Sequence, residues 1–308
     1  MKTVIYENYG SPEVLKVIDI EKPVPGKNDI LIKIKSSSVS AGVRWIRMGK
    51  HHNSEFFSFM IRLLFGFKKP KYKQILGFEF SGEVESVGSN VHSFKIGDKI
   101  FGTTTGSKHG AYAEYLCLPE KMKSNVIAIM AESISFEEAA VLPIGGMTSL
   151  YLLKKAALKK DEKILIYGAS GSVGTYAVQI AKYFGANITG VCGSSNLELI
   201  RNIGADNVID YTKTDIFSIS EKYDVIFDAV GKISKNICKN IMNKNSRYIT
   251  VNSPTDEKID YLNEINELFS NKKVRPIIDR IYSLDEIVEA HRYVDTGHKK
   301  GNVVIKMC

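Results

Sequence analysis

Along the first third of the chain, apolar and polar positions alternate with a period of two. Ile30-Leu31-Ile32-Lys33-Ile34 and Gly82-Glu83-Val84-Glu85-Ser86-Val87-Gly88 show it most clearly, and that period belongs to strands with one face in a core. Turn signals bound these runs at Gly10-Ser11-Pro12, Pro23-Val24-Pro25-Gly26 and Gly97-Asp98. Residues 1–118 therefore predict a small barrel of short strands. Residues 50–73 interrupt it with Phe56, Phe57, Phe59, Met60, Ile61, Leu63, Leu64, Phe65 and Phe67, among which and after which stand Arg62, Lys68, Lys69, Lys71 and Lys73. This stretch reads first as a core helix with solvated lysines; a substrate-facing lid, a partner surface and a membrane-leaning patch are the alternatives.

From Ser135 the pattern changes. Ser135-Phe136-Glu137-Glu138 has the capping-box spacing of a helix start. Lys163-Ile164-Leu165-Ile166-Tyr167 is a short apolar run of the buried-strand kind. A glycine-rich turn follows, then a helix with Val173, Ala177, Ile180, Ala181 and Phe184 on one face, stopped at Gly185. Residues 188–192, 208–209, 224–228 and 248–251 predict further strands, and 196–203 a helix. Strand and helix alternating at this spacing predict a parallel, doubly wound sheet. The end of the chain, Asn302-Val303-Val304-Ile305-Lys306, returns to a strand pattern and is expected to rejoin the first domain. The expected division is residues 1–120 with 270–308, and 121–269.

Composition narrows the class. The 308 residues are 44% hydrophobic and 25% charged, an ordinary globular balance. The net charge of +8 comes from 42 basic against 34 acidic residues. It suits an anionic ligand such as a phosphorylated cofactor or nucleic acid, but the basic residues are scattered, as on a solvated surface. Cys117, Cys192, Cys238 and Cys308 lie far apart, which speaks for a reducing compartment and against a disulfide framework or zinc cluster. The N-terminal residues Met1-Lys2-Thr3-Val4-Ile5-Tyr6 lack a signal-peptide apolar region. No apolar run reaches the roughly 18 residues of a membrane span. The expectation is a soluble cytoplasmic protein.

Tyr167-Gly168-Ala169-Ser170-Gly171-Ser172-Val173-Gly174 stands between the buried strand and its helix. Glycines there let a backbone approach a pyrophosphate, and N–H groups at the helix start face its charge. The strict G-x-G-x-x-G fingerprint is met at its second and third positions by Gly171 and Gly174, with Ala169 in the first. Ser170, Gly171, Ser172, Val173 and Gly174 are thus candidate dinucleotide contacts; a tight turn without ligand is the plain alternative. The second strand ends Val191-Cys192-Gly193-Ser194-Ser195-Asn196, without the carboxylate that would hold an NAD ribose. Gly193, Ser194 and Ser195 leave room for a 2′-phosphate, with Arg201, Tyr211 and Lys213 nearby, so NADPH is favoured over NADH. The two serines could equally cap the next helix.

At these residues the chain resembles the medium-chain dehydrogenase/reductase family, and within it the zinc-independent quinone oxidoreductase-like and enone reductase-like branch. The resemblance is carried by Tyr9-Gly10-Ser11-Pro12-Glu13-Val14-Leu15, Gly77-Phe78-Glu79-Phe80-Ser81-Gly82-Glu83-Val84, Phe94-Lys95-Ile96-Gly97-Asp98-Lys99-Ile100-Phe101-Gly102, Gly110-Ala111-Tyr112-Ala113-Glu114-Tyr115, Ala139-Ala140-Val141-Leu142-Pro143, Gly204-Ala205-Asp206-Asn207-Val208-Ile209-Asp210-Tyr211 and Gly301-Asn302-Val303-Val304-Ile305. It implies an α/β fold: a GroES-like β-barrel domain plus a central Rossmann domain. It also implies that Ser40 lines the nicotinamide, that Thr148 lies near it, and that Val230, Asn252 and Ser253 occupy the loops after the fourth and fifth strands. Zinc-dependent members bind their catalytic metal with a cysteine early in the barrel and a histidine after a glycine. Here Ser40-Ala41-Gly42-Val43-Arg44 and Phe78 fill those places, and residues 85–116 contain none of the structural zinc's cysteines. His51, His52, His92 and His109 are read as surface residues, so no metal is expected.

Without a Lewis acid to lower an alcohol's pKa, hydride transfer to an electrophilic quinone or α,β-unsaturated carbonyl is the expected reaction. Its proton donor is not legible. An alcohol dehydrogenase or carbonyl reductase acting on simple aldehydes or ketones is the alternative, and a non-catalytic NADPH-binding sensor or RNA-binding protein is one of another class. The expected partner is a small electrophilic substrate, with no nucleic acid. The short stretch 251–261, where relatives place a subunit-pairing edge, predicts a monomer or weak homodimer.

Overall fold

The structure, a computed structural model, describes residues 1–51, 54–70, 74–105, 110–121 and 126–307. The chain divides into two compact units, Met1–Pro143 with Ile278–Cys308, and Ile144–Ile277.

The first unit is the barrel. Among the described residues its larger sheet runs in the order Ile278–Ser283, Asn302–Lys306, Asp29–Ser38, Glu79–Val87, Lys99–Thr103, Ile127–Ile129, with Tyr115–Pro119 also on Asp29–Ser38. A smaller sheet joins Leu15–Asp19, Lys2–Tyr6 and Gln74–Ile75. Both expected alternating runs are strands, paired antiparallel with Ile32 opposite Val84. Their side chains share a core with Phe80, Ile100, Leu116, Val303 and Ile305. The last strand pairs Val304 with Ser38, so the chain end does rejoin the barrel.

The stretch 121–143 stays with the barrel, because Ile127–Ile129 extends its sheet and Ser81 Oγ donates to the Phe136 carbonyl at 2.5 Å. The capping box at Ser135 and Glu138 is formed and starts helix Phe136–Ala139. Conversely, residues up to 277 stay with the second unit, where Gln179 bonds both the N–H and the carbonyl of Arg275, at 2.8 and 2.9 Å. Residues 56–65 do form a helix, Glu55–Phe65, but it is no core helix. Ser58 is its buried residue, Ile61 and Phe65 rest half-buried on the barrel core, and Phe56, Phe57 and Phe59 face out.

A buried charge locks two distant barrel helices. Arg47, on Ala41–Met48, is fully buried. Its Nη2 donates to Asp295 Oδ2 at 2.6 Å, from helix Ile287–Asp295, and Arg44 Nε donates to the other oxygen at 2.7 Å. Arg47 Nη1 lies 3.4 Å from Nδ1 of the buried His291. A guanidinium only donates, so Nδ1 accepts and the ring proton sits on Nε2. Among the described residues, His291 Nε2 and Arg47 Nε are buried without a partner. Burial and the Arg47 charge push the His291 pKa down to about 3.

The second unit has a five-stranded parallel sheet in the order Asn207–Asp210, Asn187–Cys192, Lys163–Tyr167, Tyr223–Asp228, Met242–Thr250. In chain order these are strands three, two, one, four and five, the doubly wound arrangement expected. Helix Ser172–Tyr183 departs from its expected single apolar face: Gly174 through Ala181 are all buried, polar Thr175 and Gln179 included. Helix Pro143–Lys155 packs on its outer side, where Ser149 Oγ bonds the Val173 carbonyl at 2.8 Å.

Two stability measurements follow. Asp295→Ala leaves a buried guanidinium without its carboxylate, and such losses run at about 3–5 kcal/mol; urea unfolding of the full chain should show a loss of that order. Native His291 stays neutral while the unfolded chain binds its proton, so the unfolded state holds more protons between pH 6.5 and about 3. Stability therefore rises with pH across that window, by up to roughly 1.4 kcal/mol per unit from this group. His291→Gln should flatten the acid limb of the stability profile by that slope.

Candidate functional site

In a parallel sheet all strands end at one edge, and ligands bind beyond it where the strand order reverses. Here that point lies beside Lys163–Tyr167, which pairs with the second strand on one side and the fourth on the other. The predicted residues of this unit other than Thr148 stand just beyond those strand ends.

The turn after Tyr167 is built by close approach. Gly168 has φ +77°, the left-handed region that suits glycine. A Cβ on it would lie 2.0 Å from Val230 Cγ2, so Val230 covers the turn. A Cβ on Gly174 would lie 2.2 Å from the Gly168 carbonyl oxygen; helix and turn touch there backbone to backbone. Gly171 is different. It begins the helix with extended backbone and no side-chain cap, and a Cβ there would meet only the Gly168 oxygen at 3.5 Å. Protein packing does not require glycine at 171. The Gly171 N–H donates to the Gly168 carbonyl at 3.1 Å, so a pyrophosphate would meet the N–H end of the helix beyond that closed turn. Ser170 Oγ accepts from Asn196 Nδ2 at 3.3 Å, and Asn196 Oδ1 is buried without a partner among the described residues. Ser172 and Val173 are half-buried in the first turn. These features fit a dinucleotide.

Beyond the second strand, neither serine caps a helix. Gly193 and Asn196 hold the cap positions and make no side-chain cap bond. Ser194 instead donates to the carboxylate of Asp210, at the end of the third strand. Thr212 adds its hydroxyl at 2.6 Å and its N–H at 3.0 Å to the same group. The Ser194 and Thr212 hydroxyls hold the Asp210 pKa below its usual range. A carboxylate therefore does stand beside the second strand's end, supplied by its neighbour, which reading the second strand alone missed. Its charge is shared by these donors and by Lys213 Nζ at 3.8 Å. Ser195 and Arg201 are exposed close by, and the exposed Tyr211 ring stands 6.5 Å from that of Tyr167. Cys192 is buried, and burial with the Asp210 charge pushes its thiol up to about 11.

Asp228, fully buried at the end of the fourth strand, is the organiser that the sequence reading overlooked. Its carboxylate accepts from the N–H groups of Val230, Gly231 and Ile233 at 2.8–3.1 Å and from Tyr248 Oη at 3.3 Å. Asn252 Nδ2 donates to the Gly231 carbonyl at 3.1 Å, and the Asn252 and Ser253 N–H groups turn back onto Thr250. The loops after strands four and five are thus one knot. Thr148 is half-buried on helix Pro143–Lys155, beside Ser149 and one turn after Gly145, where a Cβ would meet Ser172 Oγ at 2.7 Å.

In the barrel unit, Ser40 caps helix Ala41–Met48 by accepting from the Val43 N–H at 3.5 Å. Phe78 lies against this helix start, 3.3 Å from where a Cβ on Gly42 would be. The two stretches that carry metal donors in zinc-dependent relatives therefore do meet here, but over an aromatic ring and a bare glycine. His51 corrects the surface reading: it is 6% exposed, between the Trp45 ring at 4.3 Å and the Phe57 ring at 5.3 Å, and burial lowers its pKa. His92 is exposed as expected; His52 and His109 fall outside the described residues.

Comparisons with known proteins agree with this architecture. A family model described as an alcohol dehydrogenase GroES-like domain matches residues 26–130, and one described as a zinc-binding dehydrogenase matches 172–278. The chain is 31% identical to a 2-methylene-furan-3-one reductase of Solanum lycopersicum, covering 99% of this chain and 79% of that one. It is 28% identical to an NADPH-dependent alkenal/one oxidoreductase of Arabidopsis thaliana, with 99% and 79% covered. A solved quinone oxidoreductase of Coxiella burnetii superposes with a TM-score of 0.84 at 30% identity, over 99% of both chains.

The glycines give a paired test. Gly174→Ala should unfold or strongly destabilise the second unit and abolish cofactor binding. Gly171→Ala should keep the melting temperature yet weaken nicotinamide-dinucleotide binding by about tenfold or more, since its methyl group enters the phosphate's space. Calorimetric titration beside thermal melting separates the two; equal melting losses would sink the assignment of Gly171 to the ligand.

Proposed function

The chain belongs to the medium-chain dehydrogenase/reductase family, in its quinone oxidoreductase-like branch, and is a nicotinamide-dependent oxidoreductase. From that premise we propose that it is a zinc-independent, NADPH-dependent reductase of quinones or α,β-unsaturated carbonyls, working in the cytoplasm as a monomer or weak homodimer. The bound nicotinamide supplies the hydride.

This chain's residues supply placement. The N-terminal end of helix Ser172–Tyr183, past the closed Gly168–Gly171 turn, faces the pyrophosphate charge, and the Asp228 knot fixes the loops carrying Val230 and Asn252. Ser195, Arg201, Tyr211 and Lys213 receive the 2′-phosphate; Asp210 is sated by Ser194 and Thr212, which mutes its repulsion of that phosphate. The observation that carries the substrate class is Phe78 against Gly42. The barrel offers no thiolate or imidazole at these places to hold a metal that could acidify an alcohol. An already electrophilic acceptor needs no such help. The relatives named for enones, alkenals and quinones support the same reading.

The test follows reduced-nicotinamide absorbance with NADPH and NADH in parallel, against a benzoquinone, a 2-alkenal and a saturated aldehyde, with and without chelator. Oxidation of NADPH by quinone or alkenal, indifferent to chelator, is the expected outcome. Turnover of the saturated aldehyde alone, or loss of activity to chelator, would overturn it. Arg201→Ala should raise the KM for NADPH by about tenfold, one charge-assisted hydrogen bond, and leave that for NADH unchanged.

A further inference from the structure

Helix Glu55–Phe65 seats only one side on the barrel unit, where Ile61 and Phe65 rest on the core and polar residues add anchors. Ser58 Oγ accepts from the His51 N–H at 3.0 Å and bonds the Ser54 carbonyl at 2.8 Å. Arg62 Nε donates to the Gly49 carbonyl at 3.0 Å and its guanidinium lies over the Tyr9 ring. Tyr9 Oη in turn donates to the carbonyl of Gly66, which ends the helix. At 100° per residue, Phe56, Phe57, Phe59, Met60, Leu63 and Leu64 fill the opposite arc, roughly 160° wide and free of polar side chains. They are not scattered single residues: Phe56, Phe59, Leu63 and Leu64 are 67, 50, 50 and 65% exposed. Phe67 joins them at 59%, edge-on to Phe59 with ring centroids 6.1 Å apart. Such a contiguous apolar face marks an interaction site.

Charge says what it meets. Lys50 flanks one end and Lys68 and Lys69 the other, all exposed, beside Arg62; Glu55, in the first turn, is the helix's one acid. The whole chain carries +8. A two-fold contact between copies through this face would set each copy's lysines against the other's. A bilayer accepts both features at once: acyl chains take the phenylalanines and leucines, and anionic headgroups take the lysines. We propose that helix Glu55–Phe65 with Phe67, Lys68 and Lys69 is a docking surface for an anionic lipid bilayer, holding the protein peripherally and reversibly. No helix among the described residues is long and apolar enough to cross a membrane, and this surface needs none.

The experiment is co-sedimentation of the full chain with vesicles of phosphatidylcholine alone and of phosphatidylcholine mixed with phosphatidylglycerol. The protein should bind the mixed vesicles, release at high salt, and stay in solution with the neutral ones. A Phe59→Ser/Leu63→Ser/Leu64→Ser variant and a Lys68→Glu/Lys69→Glu variant should each bind about tenfold or more weakly, with unchanged circular dichroism. The second variant alters only exposed side chains, so it stands should the first misfold. No binding to mixed vesicles, or binding indifferent to Lys68→Glu/Lys69→Glu, overturns the proposal. So does a wild-type dimer by sedimentation velocity that the serine substitutions disperse, which would assign the face to a second copy.

Discussion

Everything at the sheet edge is referred to one contact, the carbonyl of Gly168 beneath the backbone of Gly174, where a side-chain carbon would have 2.2 Å. It fixes how low helix Ser172–Tyr183 sits on its strand, and so where the helix's first N–H groups stand. The surroundings are fitted to that height. Val230 closes over Gly168, and Gly145 lets a second helix press on Ser172 and Tyr176. Ser149 bonds the Val173 carbonyl. Helix Ser172–Tyr183 is buried nearly all round because it is clamped between sheet and helix, which also explains why it departs from a single apolar face.

The fold was legible because its periods are local. Alternation in 30–34 and 82–88 marks strands whatever they pair with, and glycines at 168, 171 and 174 between an apolar run and a helix have few other uses. What stayed hidden depends on which chain ends meet. Asp228 looks like any polar residue closing a strand until three loop N–H groups converge on it. Asp210 could not be placed beside Ser194 without the register of the third strand on the second. In the helix at 55–65, apolar residues are so dense that periodicity gave no direction. Ser58 and Arg62, four apart and thus on one face, carried the only signal, and they point inward rather than to water.

The two strand-end carboxylates also show how one residue type is put to different ends by burial. Asp228, sealed from solvent, spends its oxygens on backbone N–H groups and serves as a hinge pin for loops. Asp210, on the sheet's edge strand, is instead quieted by the hydroxyls of Ser194 and Thr212. The two carboxylates lie on opposite sides of the first strand, Asp228 on its immediate neighbour and Asp210 one strand further out.

The Arg47–Asp295 pair spans 248 positions of sequence, with the whole second unit between its members. On the ribosome, Arg47 and the apolar inner faces around it emerge long before the helix and strand that complete them. The barrel therefore cannot close during synthesis of its own first half. It must wait, partly open, while the inserted unit is made and folds. The slow, exposed stage of this protein's birth belongs to the barrel, and the last thirty or so residues decide when it ends.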